Sequence, residues 1–322
     1  MVKRIALLGN CQTEVLKDCL EPLTGAEVTL FPYFAPQTIA NVEAIAEQLA
    51  GFDAVVSHPN PPPALARLSP ELLSETMPVL SIPRISFTGY HPDFHQGPGS
   101  SPRSPLGIYH SAIVLGCFLA GLPERRVRAM FNSYTYARLG YFEEFGKSKA
   151  FLLKRAKELG FDLASCIPRW AAAGSFMHSP NHPKIHVLAD LARLIAEKLG
   201  LPFDPTMPLQ DYIGDRLLGG VAMPVYPEIA ARLGTPGSFY FKHYKAMPGL
   251  ESKIVSLDWL IAASYIAYPQ TDWTDCSIEP ALTMRDMLHR DNGYLAPKRW
   301  RSGGHGNSAK SVQLSKMLQS AV

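Results

Sequence analysis

The first part of the chain alternates between short apolar runs and segments whose apolar residues recur every three or four positions. Short apolar runs are typical of buried strands, and the longer spacing is typical of helices with one apolar face. Four strands alternating with helices predict an α/β fold with a small parallel sheet, which binds ligands beyond the carboxyl ends of its strands. The predicted strands are residues 4–8, 27–31, 54–57 and 79–82, and the predicted helices between them are 12–23, 39–49 and 65–73.

The pattern changes beyond the fourth predicted strand. Residues 83–105 are rich in Pro and Gly, which predicts a long ordered loop of functional importance. Helical periodicity then dominates, so the sheet is predicted to be embedded in a predominantly helical protein. The predicted organisation is an α/β subdomain over 1–105 with the nucleophile turn and the functional loop, a mainly helical region over 106–296 that completes the pocket, and a tail over 297–322. Later helices are predicted at 107–120, 124–130, 145–160, 184–199 and 252–267, with a strand at 238–241.

The composition is that of an ordinary globular protein. Of the 322 residues, 47% are hydrophobic and 18% are charged, which excludes a disordered or fibrous chain. The formal net charge is +3 without any block of like charges, so a broad nucleic-acid surface is not favoured. The apolar run near the N-terminus is too short for a secretory signal, and the longest apolar stretch, 106–122, is too interrupted to span a bilayer. These features predict a cytoplasmic protein without a transmembrane segment.

Five cysteines stand at positions 11, 19, 117, 166 and 276. Their odd number and the lack of paired short spacings suggest neither a disulfide framework nor a zinc site, so they are predicted to be reduced thiols. Cys19 lies on the apolar face of the first predicted helix and is predicted to be a core residue. A cysteine with a function is therefore expected to act through its reactivity.

Cys11 lies in the segment Gly9-Asn10-Cys11-Gln12, at the junction of the first strand and the first helix. The positive end of the helix dipole and the unpaired backbone amides there lower a thiol pKa and offer donors to a developing oxyanion. This position suits a nucleophile, with Asn10 and Gln12 as supporting residues. The alternative is that Cys11 is a small buried residue that fills the turn.

A cysteine nucleophile needs a base, normally a histidine that another group orients. His182 is the first candidate, with Asn181 beside it, in a short turn before the helix predicted at 184–199. On spacing alone, it could instead be a helix-start residue bonded to the backbone. Histidines also occur at positions 178 and 186, a spacing that suits a metal on a regular helix, but two prolines interrupt that helix and no metal site is expected.

Polar residues also follow the third predicted strand. His58 and Asn60 lie where they could reach the same crevice as Cys11, to donate to an oxyanion or to bind substrate. Asn60 precedes three prolines, so a role in stabilising the turn is equally well supported.

The loop after the fourth predicted strand carries Arg84, Tyr90, His91 and Asp93. Arg84 could hold a phosphate, and Asp93 could orient a histidine. A structural polar network that fixes a long loop would use the same residues, so both interpretations stay open.

A further group of candidate binding residues lies near position 242. Lys242 and His243 are interleaved with aromatic residues, a combination that suits an adenine with phosphates. The arginines at positions 125, 126 and 128 are predicted to be mostly solvated, because three in four residues of a helix point in different directions. The sequence has no glycine-rich phosphate loop and no dinucleotide-binding fingerprint.

The order of three motifs resembles that of a known family. Gly9-Asn10-Cys11-Gln12 after an N-terminal strand, Gly89-Tyr90-His91-Pro92-Asp93 after the fourth, and Asn181-His182-Pro183 before a helix are similar to the WcbI family of capsular-polysaccharide biosynthesis enzymes, over about residues 1–200. The resemblance implies a largely helical fold with a small α/β subdomain, a deep pocket for coenzyme A, and a role in O-acetylating a sugar of the capsule.

The layout is also similar to that of the SGNH hydrolases, so the predicted sheet is of the flavodoxin or SGNH type. In those enzymes a nucleophile follows the first strand, and a late Asp-x-x-His motif supplies the orienting carboxylate and the base. Cys11 takes the place of the serine, and His182 followed by Pro183 matches the histidine end. The position three before His182 is Ser179 rather than an aspartate, so Asp93 or a backbone carbonyl must be considered as the orienting group.

The resulting hypothesis is a coenzyme-A-dependent acyltransferase that moves an acetyl group from acetyl-CoA to a sugar hydroxyl, in association with polysaccharide-assembly machinery. Either Cys11 forms an acyl-enzyme and His182 then activates the acceptor, or His182 activates the acceptor for direct attack. The alternatives are an SGNH-like ester or thioester hydrolase that uses Cys11, a non-catalytic subunit that binds coenzyme A or a nucleotide, and a transferase with a nucleotide-sugar or sulfonate donor. Neither a nucleic-acid partner nor a metal cofactor is expected.

Overall fold

The computed structural model describes residues 4–97, 104–244 and 252–292. The described residues form two compact units, each discontinuous in sequence. The first is drawn from Met1–Phe87 and Ser148–Gly219, and the second from Thr88–Lys147 and Gly220–Val322. The domain boundaries predicted after residues 105 and 296 stay predictions, and the predicted tail lies outside the described residues.

The strands of the described part are short. They are β1 (Arg4–Gly9), β2 (Glu27–Pro32), β3 (Ala54–Ser57), β4 (Val79–Ser81), β5 (Phe94–Gln96), β6 (Tyr109–Ser111), β7 (Met177–Ser179), β8 (His182–Pro183), β9 (Tyr240–Lys242) and β10 (Ile254–Ser256).

The α-helices account for much of the remainder. They are α1 (Gln12–Thr24), α2 (Pro36–Ala40), α3 (Val42–Leu49), α4 (Pro70–Leu73), α5 (Ala112–Leu119), α6 (Glu124–Val127), α7 (Ser133–Arg138), α8 (Glu144–Glu158), α9 (Cys166–Ala171), α10 (Ile185–Lys198), α11 (Leu209–Tyr212), α12 (Pro227–Leu233), α13 (Leu257–Ala267) and α14 (Glu279–Asn292). Short 3₁₀ helices occur at Pro63–Leu68, Arg128–Met130, Arg216–Gly219 and Tyr268–Gln270.

A four-stranded parallel sheet in the order β2-β1-β3-β4 forms the centre of the first unit. This confirms the predicted α/β fold with a small parallel sheet. The order is that of flavodoxin-like sheets, in which ligands bind where β1 and β3 lie side by side and their connections leave in opposite directions. The register pairs Leu8 at the end of β1 with Phe31 on one side and with Ser57 on the other.

The two faces of the sheet follow from the alternation of side chains along β1. Ala6 and Leu8 belong to a buried cluster that also contains Ile45 and Leu49 of α3. On α1, the buried residues recur at helical spacing, and this helix packs against α10. Cys19 is among these buried residues, as predicted. α1 ends at Gly25, whose φ of 69° is a left-handed conformation that glycine adopts without strain.

The second unit is built around helix packing and two antiparallel strand pairs, β5–β6 and β9–β10. α5 is apolar on nearly every side and almost entirely buried. It packs closely on α14 because Gly116 has no side chain: an added Cβ would lie 2.5 Å from the carbonyl oxygen of Ala281 and from Cβ of Met284. The absence of a side chain there lets the two backbones approach.

Several elements differ from the prediction for identifiable reasons. The helix predicted over 65–73 is split into a 3₁₀ segment and α4, because Ser69 starts the second helix by accepting the N–H of Leu72 on its side chain. The helix predicted from residue 107 begins only at Ala112, because Tyr109–Ser111 pairs with Phe94–Gln96 inside the predicted loop. In the same way, β10 precedes α13 within the helix predicted over 252–267.

Among the described residues, no helix combines the length and the apolar character that crossing a bilayer requires. The cytoplasmic location stays a prediction.

Candidate active site

The turn between β1 and α1 is tied together by Asn10. Its side-chain oxygen Oδ1 accepts the backbone N–H of Gln12 at 3.0 Å, and its carbonyl accepts both the backbone N–H of Thr13 at 3.0 Å and the Thr13 hydroxyl at 2.7 Å. Cys11 occupies the N-cap position of α1, but its side chain makes no capping hydrogen bond. The partly exposed thiol is therefore not used to hold the helix start.

Gly9 is required where β1 ends because the imidazole of His58 lies against it. A Cβ added to Gly9 would stand 2.3 Å from Nδ1 of His58 and 2.6 Å from Cγ2 of Thr13. Both distances are far below a normal contact, so the turn tolerates no side chain at this position.

His58, at the end of β3, is fixed on both sides. Its Nδ1 accepts the backbone N–H of Asn10 at 3.4 Å, and its carbonyl accepts the hydroxyl of Tyr33 at 2.7 Å. Burial, with a smaller effect from the charge of Arg84, lowers the pKa of His58 to about 3. The ring is therefore neutral at physiological pH, and because Nδ1 accepts, Nε2 carries the hydrogen.

The pKa of the Cys11 thiol is raised above its usual value, mainly because burial disfavours the thiolate. The backbone N–H groups of Cys11 and Gln12 and the charge of Arg84 act in the opposite direction, while Glu14 raises the pKa further. The lowered pKa predicted from the helix start is therefore wrong. The turn does stabilise the thiolate, but desolvation outweighs it.

Gln12 is completely buried and joins three segments of the first unit. Its side-chain nitrogen Nε2 donates to the carbonyl of Ile85 at 2.8 Å and to the carbonyl of Asn181 at 2.9 Å. Its oxygen Oε1 accepts the N–H of Ile85 at 3.0 Å. Each of the three bonded residues has a candidate residue next to it in the chain: Gln12 follows Cys11, Ile85 follows Arg84, and Asn181 precedes His182. The amide of Gln12 therefore connects the segments that carry these candidates.

The segment that carries His182 is a short hairpin formed by β7 and β8. Nε2 of His178 pairs with Oδ2 of Asp215 at 2.8 Å, and the same oxygen accepts the N–H of Ile185 at 3.2 Å. Burial opposes ionisation of Asp215. The hydrogen bond from His178, the charge of His178, and the backbone N–H groups of Ile185 and Leu218 together outweigh burial, so the pKa of Asp215 is lowered. A carboxylate thus anchors the hairpin to the start of α10.

His182 itself is partly buried, and its Nδ1 has no hydrogen-bond partner among the described residues. Burial first, and the charge of His178 second, lower its pKa, while Asp215 opposes them. Ser179, three positions earlier, donates from its hydroxyl to Oδ1 of Asn181 at 3.3 Å. His182 is therefore a neutral imidazole near pH 7, and the carboxylate in its vicinity is bonded to His178.

Asp215 was not identified from the sequence. It stands in a region rich in Pro and Gly without periodicity, and it is 37 positions from His178. No local pattern marks such a pair.

Within the described residues, no group of three or more His, Cys, Asp or Glu side chains is arranged to hold a metal ion.

The other candidates that follow β3 and β4 in the first unit are exposed. Asn60 has a φ of 57°, a left-handed conformation that Asn tolerates in turns, which supports its alternative role in the turn. Arg84 is exposed, and its charge acts on both Cys11 and His58. The hydrogen bonds described above connect Asn10, Gln12, His58 and Asn181 within the first unit. Cys11, Arg84 and His182 join this group as chain neighbours of Gln12, Ile85 and Asn181.

Asp93 belongs to the second unit, where it is fully buried and both of its oxygens are engaged. Its four hydrogen-bond donors are the Ser111 hydroxyl at 2.5 Å, the Ile113 N–H at 2.9 Å, the Tyr141 hydroxyl at 2.8 Å and the Tyr226 hydroxyl at 2.7 Å. Burial raises its pKa, although all four bonds favour the carboxylate. These contacts correspond to the structural network that the sequence allowed as an alternative.

The remaining candidates also lie in the second unit and have structural contacts. Tyr90 packs edge-on against Phe145 with ring centres 5.4 Å apart, and Nε2 of His91 is 3.0 Å from the carbonyl oxygen of Met223. Lys242 donates to the carbonyl of Gly220 at 3.1 Å. The ring of His243 lies 4.2 Å from that of Tyr244.

A surface groove of about 480 Å³ lies elsewhere in the first unit. It is lined by residues of α2, α3 and the Pro63–Leu68 segment, and neither Cys11 nor His182 contributes to it. The deep coenzyme A pocket implied by the resemblance stays an expectation.

Comparisons with known proteins confirm the resemblance to the WcbI family. The family model of WcbI, described as a polysaccharide biosynthesis enzyme, matches residues 4–204. A solved structure of WcbI, described as the native protein without the disulfide bond between coenzyme A and one of its cysteines, is similar with a TM-score of 0.62 and 15% identity, over 91% of this chain and 97% of that chain. No curated protein matches the sequence.

The family match covers more than half of the chain, and the structural likeness shows that the fold is shared. The chain therefore belongs to the WcbI family of polysaccharide biosynthesis enzymes.

Proposed function

We propose that this protein transfers an acyl group from coenzyme A to a sugar hydroxyl, with Cys11 and His182 as the catalytic residues. The observation that carries the proposal is the bond from Gln12 to Asn181, which ties the chain neighbours of these two residues together. A partly exposed thiol and a neutral histidine on linked segments suit acyl transfer. The family membership supports the polysaccharide acceptor, and the coenzyme A named for the WcbI structure supports the donor.

In the covalent version, His182 takes the proton of the Cys11 thiol and Sγ attacks the carbonyl carbon of the thioester. The bond to the coenzyme A sulfur then breaks, and that sulfur leaves with the proton from His182. His182 next takes the proton of the sugar hydroxyl, whose oxygen attacks the acyl carbon and releases Sγ, and Sγ regains a proton from His182. The raised pKa of Cys11 makes a base necessary for the first step, because the thiol is not ionised at rest.

In the direct version, His182 takes the proton of the sugar hydroxyl, and the oxygen attacks the carbonyl carbon of the thioester. The bond to the coenzyme A sulfur breaks, and that sulfur leaves with the proton from His182. Cys11 then lines the thioester site without forming a bond. Both versions need His182 neutral at the outset, which agrees with its lowered pKa. They differ in whether Sγ carries the acyl group.

The first test is the thermal stability of the protein with coenzyme A, acetyl-CoA, adenosine 3′,5′-bisphosphate, a nucleotide sugar and NAD, each near millimolar. A ligand at a hundred times its dissociation constant stabilises by about 2.7 kcal/mol. We expect coenzyme A, acetyl-CoA and adenosine 3′,5′-bisphosphate to raise the melting temperature, and the nucleotide sugar and NAD to leave it unchanged. A shift with only the nucleotide sugar would reject the donor and favour a different transferase.

The second test follows acetyl-CoA turnover with a panel of sugars, in the wild type, Cys11→Ser and His182→Gln. Acceptor-dependent release of coenzyme A that is lost in His182→Gln supports the proposal. An acetyl group found on Cys11 by mass spectrometry supports the covalent version, whereas near-normal transfer by Cys11→Ser supports the direct one. Equal turnover with and without sugar would show a hydrolase and contradict the transferase.

A further inference from the structure

Arg84 is an exposed cation in the segment that follows β4. No hydrogen bond or ion pair joins its guanidinium to another residue that the structure describes. Several other exposed arginines of the same unit are paired with carboxylates, for example Arg67 with Glu43 at 3.6 Å. The charge of Arg84 is thus available to a ligand.

The backbone that carries this charge is bonded to the turn of the candidate nucleophile, because Ile85 beside Arg84 bonds to Gln12 beside Cys11. Burial has the largest effect on the pKa values of both Cys11 and His58, and the charge of Arg84 acts on both as well. Cys11 and His58 follow β1 and β3, the two strands between which flavodoxin-like sheets bind their ligands. The opposing charge recorded at Cys11 is that of Glu14, in the first turn of α1.

The backbone beside Arg84 is held by Gln12. Ile85 gives both its carbonyl and its N–H to the buried amide of Gln12, at 2.8 and 3.0 Å. Two residues further on, the N–H of Phe87 donates to the carbonyl of Pro180 at 2.7 Å. The segment is therefore attached both to the Cys11 turn and to the hairpin that carries His182.

We propose that Arg84 makes the Cys11 site selective for reaction partners with a carboxylate or phosphate near the reacting atom, and that Gln12 is the positioning residue that keeps Arg84 there. A guanidinium without a carboxylate partner, mounted on a fixed backbone, recognises such groups through paired N–H bonds. This inference deepens the proposed function by naming a property of the ligand. It rests on the Cys11 site, but its test requires no acyl transfer.

The test compares the alkylation rates of Cys11 by iodoacetate and by iodoacetamide, measured by mass spectrometry of the Cys11 peptide at one pH. In both reactions Sγ displaces iodide from the same carbon, and the reagents differ in charge. The ratio of the two rates cancels changes in thiol ionisation and in general exposure. It therefore reports the electrostatic attraction of an anion to the site.

Arg84→Gln is expected to lower the ratio of iodoacetate to iodoacetamide rates by at least about threefold. Arg67→Gln, which removes an exposed cation of the same unit, is the matched control and is expected to leave the ratio unchanged. Inorganic phosphate at moderate concentration is expected to slow iodoacetate in the wild type and to have little effect in Arg84→Gln. An unchanged ratio in Arg84→Gln would overturn the proposal.

The role of Gln12 is tested by a double-mutant cycle. Gln12→Met is expected to lower the ratio, and the double variant with Arg84→Gln is expected to show no larger effect than Arg84→Gln alone, because Gln12 acts through Arg84. If Gln12→Met does not fold, Gln12→Asn keeps an uncharged amide but shortens its reach to the carbonyls of Ile85 and Asn181. Additive effects in the cycle, or a normal ratio in the folded Gln12 variant, would contradict the positioning role. Neither result depends on whether the protein transfers acyl groups.

Discussion

The backbone N–H of Asn10 donates to Nδ1 of His58 across 3.4 Å, and this contact joins the ends of β1 and β3 beside Cys11. It is possible because Gly9 has no side chain. The bond also sets the tautomer of His58, since an accepting Nδ1 leaves the hydrogen on Nε2. The neutral state of one histidine is thus built into the turn that carries the candidate nucleophile.

The stability of the protein should fall in mild acid because of His58. Its folded pKa of about 3 lies below the ordinary value of 6.5, so the unfolded chain binds the extra proton between these pH values. This group's stabilisation is present above pH 6.5 and is lost at about 1.4 kcal/mol per pH unit as the pH falls toward 3. Urea unfolding at several pH values gives the unfolding free energy as a function of pH, and this free energy should change less steeply with pH in His58→Asn than in the wild type. An equal pH dependence in the two proteins would argue against a buried neutral His58.

Gly9→Ala should destabilise the protein by about 1–3 kcal/mol, because the new methyl group would collide with His58 and Thr13. Gly146→Ala is the matched control. Gly146 lies inside α8 with no neighbouring atom near an added Cβ, so alanine should stabilise by about 0.5–1 kcal/mol. Denaturant unfolding of both variants measures the two changes, and a neutral Gly9→Ala would show that the contact with His58 is not tight.

The network around Asp93 should be sensitive to the loss of single donors. Tyr141→Phe and Tyr226→Phe each remove one hydrogen bond to a fully buried carboxyl group. Each is expected to cost about 0.5–3 kcal/mol of unfolding free energy, the range that covers hydrogen bonds to neutral and to charged groups. The double variant should be less than additive, because both bonds serve the same group. Strict additivity in chemical unfolding would indicate independent sites.

Asp215→Asn should weaken the anchor of the hairpin that carries His182. The pair with His178 is short, so its loss is expected to cost about 1–2 kcal/mol at neutral pH. Because the folded pKa of Asp215 is lowered, its contribution is present above the ordinary value of 3.8 and disappears as the pH falls below it. Wild type and variant should therefore approach each other in stability near pH 3, as measured by urea unfolding. A constant difference in unfolding free energy from pH 7 to pH 3 would contradict a stabilising ionised Asp215.

Alkylation of the native protein should distinguish the cysteines by their environment. Cys11 and Cys276 are partly exposed, whereas Cys19, Cys117 and Cys166 are buried. Burial raises the pKa of Cys19 to about 12, which suppresses its thiolate as well. Iodoacetamide at pH 8 should therefore label Cys11 and Cys276 within a period that leaves the other three unmodified. Peptide mass spectrometry measures the labelling, and early modification of Cys19 would show that α1 opens.

The sequence was sufficient for the parallel sheet and for α1, because the spacing of apolar residues is a local signal. It also located Cys11 correctly at the start of α1. It missed the break in the helix predicted over 65–73. The pKa of the thiol could not be predicted in this way, since burial depends on the packing of distant segments. The same is true of Gln12, whose partners are backbone atoms 73 and 169 positions away. Every residue has a backbone carbonyl, so the residue type does not show which carbonyl accepts a hydrogen bond from Gln12.

The 169 positions between Gln12 and Asn181 also set an order of events during synthesis. All the residues between them, and Asn181 itself, must leave the ribosome before this bond can form. A nascent or truncated chain that ends before Asn181 contains Cys11 without the hairpin that the finished protein places against its turn. Whatever reactivity the folded site gives the thiol is therefore acquired only after the hairpin has been synthesised, and products that end before it do not share it.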